Sequence, residues 1–187
     1  MSALVVFESM YGSTAAIAEA VAAGMAEVRV PVTVCEVGSA PVPPPGTVVG
    51  LLVVGAPTHQ RGLSTPRTRD AARGESARTV SPGDGVREWL DELVGRVAGQ
   101  PVAVFDTALA GRLAGSAAHT MAKRLTKAGA QVVVPPESFT VSGRSSGLLP
   151  DELEHARSWG RSIAIFAATR PAAGRSVREE VLEGDHQ

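Results

Sequence analysis

The chain has 187 residues, 44% of them hydrophobic, enough for one α/β domain with a full core and too few for two ordinary ones. A formal net charge of −1 argues against nucleic acid or an anionic membrane surface as partner. Cys35 is the only cysteine, which excludes an internal disulfide and a thiolate metal cluster, and no apolar run reaches the roughly 18 residues of a membrane-spanning helix.

The opening run Met1-Ser2-Ala3-Leu4-Val5-Val6-Phe7 lacks a basic stretch and meets Glu8 early. It reads as a first strand, Ala3 to Glu8, and not as a signal peptide, so a cytoplasmic location is expected. A helix follows from Ser13 or Thr14 to Glu27, with Ile17, Val21 and Met25 at helical spacing. The second strand is Val32 to Val37. The segment from Gly38 to Gly46 contains Pro41, Pro43, Pro44 and Pro45, which cannot lie inside a helix. An extended, polyproline-like connection is expected there, where a doubly wound fold usually places its second helix.

The third strand, Val48 to Val54, is the most apolar run and should be central. The polar region from Gly55 to Gly85 is too long to be a simple turn. We expect an ordered first part and then a mobile stretch near Arg67 to Thr79, within a loop spanning about residues 64–82. A helix from Val86 to Ala98 carries Val86, Trp89, Leu90, Leu93, Val94 and Val97 as an apolar stripe. Strand four is Val102 to Phe105, followed by a loop from Asp106 to Gly115. The next helix, Ser116 to Ala128, ends at Gly129, a natural residue just past a helix end. Strand five begins at Gln131 to Val134 and resumes at Phe139 to Val141 after Pro135-Pro136. The last helix, Pro150 to Ala168, presents Leu153, Ala156, Trp159, Gly160 and Ile163 on one face, and Pro171 stops it. One domain over residues 1–168 and a flexible polar tail over 169–187 are expected. The alternation predicts a parallel sheet with helices on both faces.

The chemistry concentrates in Ser9-Met10-Tyr11-Gly12-Ser13-Thr14, where a buried strand opens directly into a helix. The first backbone N–H groups of a helix have no intrahelical partner, and the helix dipole favours an anion there. Ser9, Ser13 and Thr14 add hydroxyl donors, and Gly12 lets the backbone approach closely. The loop has no lysine, so it is not the P-loop of nucleotide triphosphatases, and it lacks the three-glycine dinucleotide fingerprint. Such a turn also serves simply as an N-cap, with Ser13 capping. Hydroxyls at both Ser9 and Thr14 exceed what capping needs.

On these residues the chain resembles the flavodoxin family. Phe7, Ser9, Gly12, Thr14, Ala18 and Val21 fit its N-terminal signature, and Gly55-Ala56-Pro57-Thr58-His59 resembles the turn after its third strand. Phe105-Asp106-Thr107 stands where the family has its last flavin loop. The resemblance implies a three-layer doubly wound five-stranded parallel sheet, strand order 2-1-3-4-5, that binds flavin mononucleotide (FMN). By that resemblance the loop Ser9 to Thr14 wraps the phosphate, and Pro57 and Thr58 run beside the ribityl chain. The ring lies between Thr58–Leu63 and Asp106–Gly111. His59 is the ring-bearing candidate in the second loop, Gly62 a candidate for a peptide flip, and Asp106, Thr107 and Gly111 line the third loop.

Two departures matter. The family's usual Trp and Tyr sandwich is missing, since Tyr11 is the only tyrosine and Trp89 and Trp159 fall on apolar helical faces. The chain is also near neutral, with Arg61, Arg67, Arg69, Arg73 and Arg112 near the expected ring. A cation at the ring stabilises its negatively charged reduced form and raises the two-electron potential. The leading expectation is a redox protein passing electrons between a reductase and an acceptor, either a partner protein or a small molecule. The alternatives are an FMN-dependent NAD(P)H:quinone-type oxidoreductase and a flavodoxin-like module without tight flavin binding.

Overall fold

The computed structural model describes residues 1–75, 79–111, 115–143 and 146–169. In chain order its elements are β1 (Ala3–Phe7), α1 (Ser13–Glu27), β2 (Val32–Glu36), a short 3-10 turn (Val37–Ser39), β3 (Leu51–Pro57), α2 (Pro66–Glu75), α3 (Val86–Glu92), β4 (Pro101–Leu109), α4 (Ala117–Lys127), β5 (Gln131–Val132), β6 (Glu137–Val141) and α5 (Glu152–Thr169). The strands form one parallel sheet in the order β2-β1-β3-β4-β5, with β6 also paired to β4. β5 pairs with Pro101 and Val102 and β6 with Phe105 to Leu109, so the two are one fifth strand in two pieces. Pro135 and Pro136 stand between them and have no N–H to give the ladder.

The pleat divides the sheet residues between two cores. Val5, Phe7, Val53, Ala103 and Phe105 face α1 and α5, while Val6, Leu52, Val54, Val102 and Val104 face α3 and α4. α1 and α5 cross closely, because a Cβ at Gly24 would overlap the Arg157 carbonyl and one at Gly160 would overlap that of Val21. Both tryptophans belong to cores, as expected: Trp89 is buried, and Trp159 packs edge-on against Phe105 and Phe139. Cys35 lies in β2 but is half-buried, and burial, then Glu36, pushes its thiol pKa up.

Several boundaries differ from the sequence reading for identifiable reasons. β3 begins at Leu51, and Val48 is exposed. The Gln100 side-chain amide supplies the partners of Val49 instead, accepting from its N–H at 2.9 Å and donating to its carbonyl at 3.0 Å. α3 ends at Glu92, before Gly95 (φ 76°). Leu93 and Val97 remain buried, whereas Val94 is exposed. Leu153 is exposed as well, so the buried face of α5 is Ala156, Gly160, Ile163, Ala164 and Ala167. β4 runs to Leu109, which makes Asp106 and Thr107 strand residues and not loop residues.

The largest difference lies in the segment read as mobile. Residues 66–75 form the helix α2, which buries Arg69 and Ala72. Pro66 is its first residue, where a missing N–H costs nothing. Thr65 and Thr68 cap it reciprocally: the Thr68 N–H donates to the Thr65 hydroxyl at 3.2 Å, and the Thr65 N–H to the Thr68 hydroxyl at 2.9 Å. The proline segment, by contrast, holds no helix beyond the 3-10 turn, as read from the sequence. The tail residues 170–187 lie outside the described residues.

Candidate functional site

The carboxyl ends of β1, β3 and β4 open on a cavity of about 500 Å³, lined in part by Ser9, Met10, Tyr11, Ser13, Thr14, Pro57, Thr58, His59 and Thr107. The position is the crevice at which doubly wound sheets take ligands, and the size suits a cofactor. Three sequence segments far apart in the chain thus converge on one space.

The β1–α1 loop is built for an anion. Gly12, in the left-handed region (φ 96°), is the N-cap of α1, and no side chain caps the helix. Ser13 is therefore the first helical residue and not the cap. The N–H groups of the first turn are left without intrahelical partners, and no acidic residue occupies that turn. The Ser9 hydroxyl accepts from the Gly12 N–H at 3.1 Å, which holds the turn closed and leaves its own proton to donate. Thr14 and Thr107 join their hydroxyls at 2.8 Å in a buried bond that ties α1 to β4. Met10 is buried, and the Tyr11 hydroxyl donates to Glu75 of α2 at 2.8 Å.

The second loop leaves β3 through Pro57. The Thr58 N–H donates to the Thr107 carbonyl at 2.9 Å, its hydroxyl to Asp106 at 2.9 Å, and it accepts from the Ala117 N–H at 2.9 Å. His59 and Gly62 close a tight hairpin turn by two backbone bonds of 2.8 and 2.9 Å. The left-handed conformations fall on Gln60 (φ 44°) and Arg61 (φ 75°), so Gly62 is not where the backbone is held in that region. Two successive non-glycine residues there store strain at the cavity rim.

Four expected site residues, Gly12, Gly62, Asp106 and Gly111, do not line the cavity; Gly12 shapes the turn as the N-cap of α1. Asp106 is fully buried and its Oδ2 accepts from Thr58, from the Ser116 hydroxyl at 2.7 Å and from the Ala118 N–H at 3.0 Å. It holds the start of α4 and the second loop together. Gly62 closes the turn with His59, and a Cβ there would lie 3.7 Å from Thr120 Oγ1 of α4. Gly111 (φ 130°) lies past the end of β4, beside residues 112–114, so Arg112 is outside the described residues.

The sequence reading missed Thr68, Ala71, Ala72 and Glu75 of α2 and Val141 of β6 as lining residues. The signal for α2 was present in Thr65-Pro66-Arg67-Thr68, a capping sequence with proline at the first helical position. Of the arginines expected near the ring, Arg61 and Arg67 line the cavity. Arg73 instead pairs with Asp70 at 2.7 Å, and Arg69 turns inward beneath the loop.

No protein-family model matches the chain, and no curated protein matches it in sequence. Solved structures do. An archaeal flavodoxin aligns over 90% of this chain and 99% of its own, with a TM-score of 0.67 at 20% identity. Flavodoxin 1 from Bacillus cereus aligns over 91% and 100%, with a TM-score of 0.62 at 18% identity. The fold is that of the flavodoxins. The flavodiiron protein from Giardia intestinalis also matches, with a TM-score of 0.57 at 20% identity, over 89% of this chain but 36% of its own. The flavodoxin-like sheet explains why the three segments meet, since this strand order brings the ends of β1 and β3 side by side. Among the described residues no helix is long and apolar enough to cross a membrane, and no three His, Cys, Asp or Glu side chains gather as a metal site.

Proposed function

We propose that this flavodoxin-like chain binds FMN in the cavity and passes electrons between a reductase and an acceptor. One observation carries the reading: an uncapped helix N-terminus with Ser9 and Thr14 beside it opens into the same cavity as Pro57, Thr58 and Thr107. The donor set fits a phosphate dianion at α1, because it is made of unpartnered N–H groups and hydroxyls with no acidic side chain in the first turn. When bound, the flavin supplies the electron chemistry. The chain's own work would be to hold it: the β1–α1 loop would grip the phosphate, Pro57 and Thr58 would flank the ribityl chain, and His59 and Leu109 would lie toward the ring.

The cavity lining favours a second reading, an FMN-dependent NAD(P)H oxidoreductase. Among the described residues Tyr11 is the only Phe, Tyr or Trp in the lining, and its hydroxyl is engaged by Glu75. No aromatic pair among the described lining residues would cover a bound ring, which would leave access for a small substrate. Arg61 and Arg67 add positive charge to the same space and favour a negatively charged reduced ring.

Titration of the apoprotein with FMN, read by flavin fluorescence, tests the proposal. Saturable binding is expected, and the Ser9→Ala/Thr14→Ala double variant should abolish it. Addition of NAD(P)H alone then separates the two functions, since direct bleaching of the flavin belongs to the oxidoreductase. A wild-type protein that ignores FMN would leave the fold without a redox role.

A further inference from the structure

Beneath the β1–α1 loop lies a buried charged cluster that the proposed electron chemistry does not use. Glu8, the residue before Ser9, is fully buried, and its Oε2 accepts from the Val86 N–H at the start of α3, at 2.8 Å. Arg69 reaches in from α2 and is 2% exposed. Its Nη1 donates to the Ser64 hydroxyl at 2.9 Å and lies 3.1 Å from Glu88 Oε2 of α3. Ser64 also acts on the Glu8 carboxyl, drawing its pKa down. Glu88 also accepts from the Gly85 N–H at 2.9 Å. Space is fully used: a Cβ at Gly85 would lie 2.5 Å from Glu8 Oε2 and 2.7 Å from Arg69 Nη1.

The chain between α2 and α3 grips the loop's backbone. The Ser81 N–H donates to the Ser9 carbonyl at 2.8 Å, the Val80 N–H to the Met10 carbonyl at 3.2 Å, and the Ser81 hydroxyl accepts from the Ser9 N–H at 3.0 Å. Val80 and Ser81 therefore hold the backbone of Ser9 and Met10, while Arg69 and Val86 surround Glu8.

The electrostatics follow from this placement. A carboxylate in a dry interior one residue from a phosphate site repels a phosphate dianion strongly, because little water screens the pair. Arg69 is the cation facing Glu8, and it is shared with Glu88. Two buried polar atoms remain without partners, Glu8 Oε1 and Arg69 Nε, so the cluster is not closed upon itself.

We propose that Arg69 is a positioning residue for the ligand's phosphate: by offsetting the Glu8 charge from below, it lets the β1–α1 loop accept a phosphate dianion. The inference rests on the FMN reading of the cavity. Arg69 does not touch the ligand. It acts through Glu8 and through the loop that α2 holds in place. Burial supports the same view, since it pushes the Glu8 carboxyl above its usual range despite Ser64, the bond from Val86 and the charge of Arg69. The remaining charge on Glu8 is thus poorly tolerated even before a ligand arrives.

The test compares FMN with riboflavin, which has the same ring and no phosphate, in titrations of the full-length apoprotein. Removing the carboxylate charge in Glu8→Gln should raise the preference for FMN over riboflavin by about tenfold, and Arg69→Met should lower it by about as much. Arg69→Lys, which keeps the charge, should retain most of the preference, and the Glu8→Gln/Arg69→Met double variant should return toward wild type. A purely structural role would weaken both flavins in parallel and could not tighten FMN in Glu8→Gln. Should Arg69→Met fail to fold, Glu8→Gln and Arg69→Lys decide. A preference that moves by less than about twofold in Glu8→Gln overturns the inference while leaving FMN binding intact. A wild-type protein that binds neither flavin overturns the FMN reading and this inference together.

Discussion

Residues 38–50 and 58–85 both read in the sequence as irregular connections, and they differ in structure. The first has four prolines, three glycines and no charged residue, the second is rich in arginine, serine and threonine, and both connect elements of the same sheet. The first makes one 3-10 turn and one turn at Pro45-Gly46, and is fastened near its end by the Gln100 amide on Val49. The second holds a capped helix, a buried arginine and backbone bonds to the β1–α1 loop. Helical stability in a folded protein comes mainly from tertiary packing and not from local propensity. α2 has Ala72 and Arg69 to bury and a cluster that receives Arg69, whereas the proline segment has no such anchor and lacks the donors a helix needs.

The sharpest way to break this contrast is to remove the anchor. Arg69→Ala strands the buried Glu8, takes the ion-pair partner from the half-buried Glu88, and should cost about 3–5 kcal/mol in urea unfolding; a loss below about 1 kcal/mol would show that the cluster does not hold the segment. The cluster also carries a pH signature. Burial raises the Glu8 pKa, so the folded state holds that proton more tightly than the unfolded chain does. Its stabilising share is complete below the usual glutamate range and is lost as pH rises through the folded value. For Glu88, burial acts upward, but the Arg69 and Gly85 bonds outweigh it and hold the carboxyl low. Its share is complete above the usual range and is lost as pH falls. The stability gap between Glu8→Gln and wild type should therefore shift in favour of the variant as pH rises from about 4.5, the unfolded glutamate value. A gap independent of pH across that window would mean Glu8 is not strained in the folded state.

Smaller perturbations sharpen the comparison. Gly85→Ala pushes a methyl group into Glu8 and Arg69 and should cost about 1–3 kcal/mol. Thr65→Ala removes the α2 cap and should cost about 1 kcal/mol, visible as a lower thermal midpoint. Pro45→Ala, on the exposed proline segment, should change stability by no more than about 0.5 kcal/mol. If Thr65→Ala proved as silent as Pro45→Ala, the two segments would be alike after all.

The sheet was legible in the sequence because its strands are continuous apolar runs and its turns carry glycine or proline. The β1–α1 loop was legible because its chemistry is local: strand, hydroxyls, glycine and helix follow one another within ten residues. α2 was not, since its apolar content is two alanines and its anchor is a charged side chain that hydrophobic periodicity counts as solvent-facing. Leu153 and Val94 misled for the converse reason: spacing placed them on a buried face that the helix start at Glu152 and the break before Gly95 took away. Asp106 looked like a ligand-facing loop residue because the extent of β4 beyond Phe105 depends on pairing with the end of β3 and with β6, which sequence spacing does not reveal.

The broken fifth strand has a consequence for how copies of this protein meet. It is one rim of the sheet, and an open rim invites a neighbouring chain to add a strand and start aggregation. Pro135 and Pro136 withhold two donors at the break, and farther along the chain doubles back, with the Leu149 N–H donating to the Thr140 carbonyl at 3.0 Å and the Ser142 N–H to the Gly147 carbonyl at 3.0 Å. The rim is thereby spent on the molecule's own backbone before another molecule can use it.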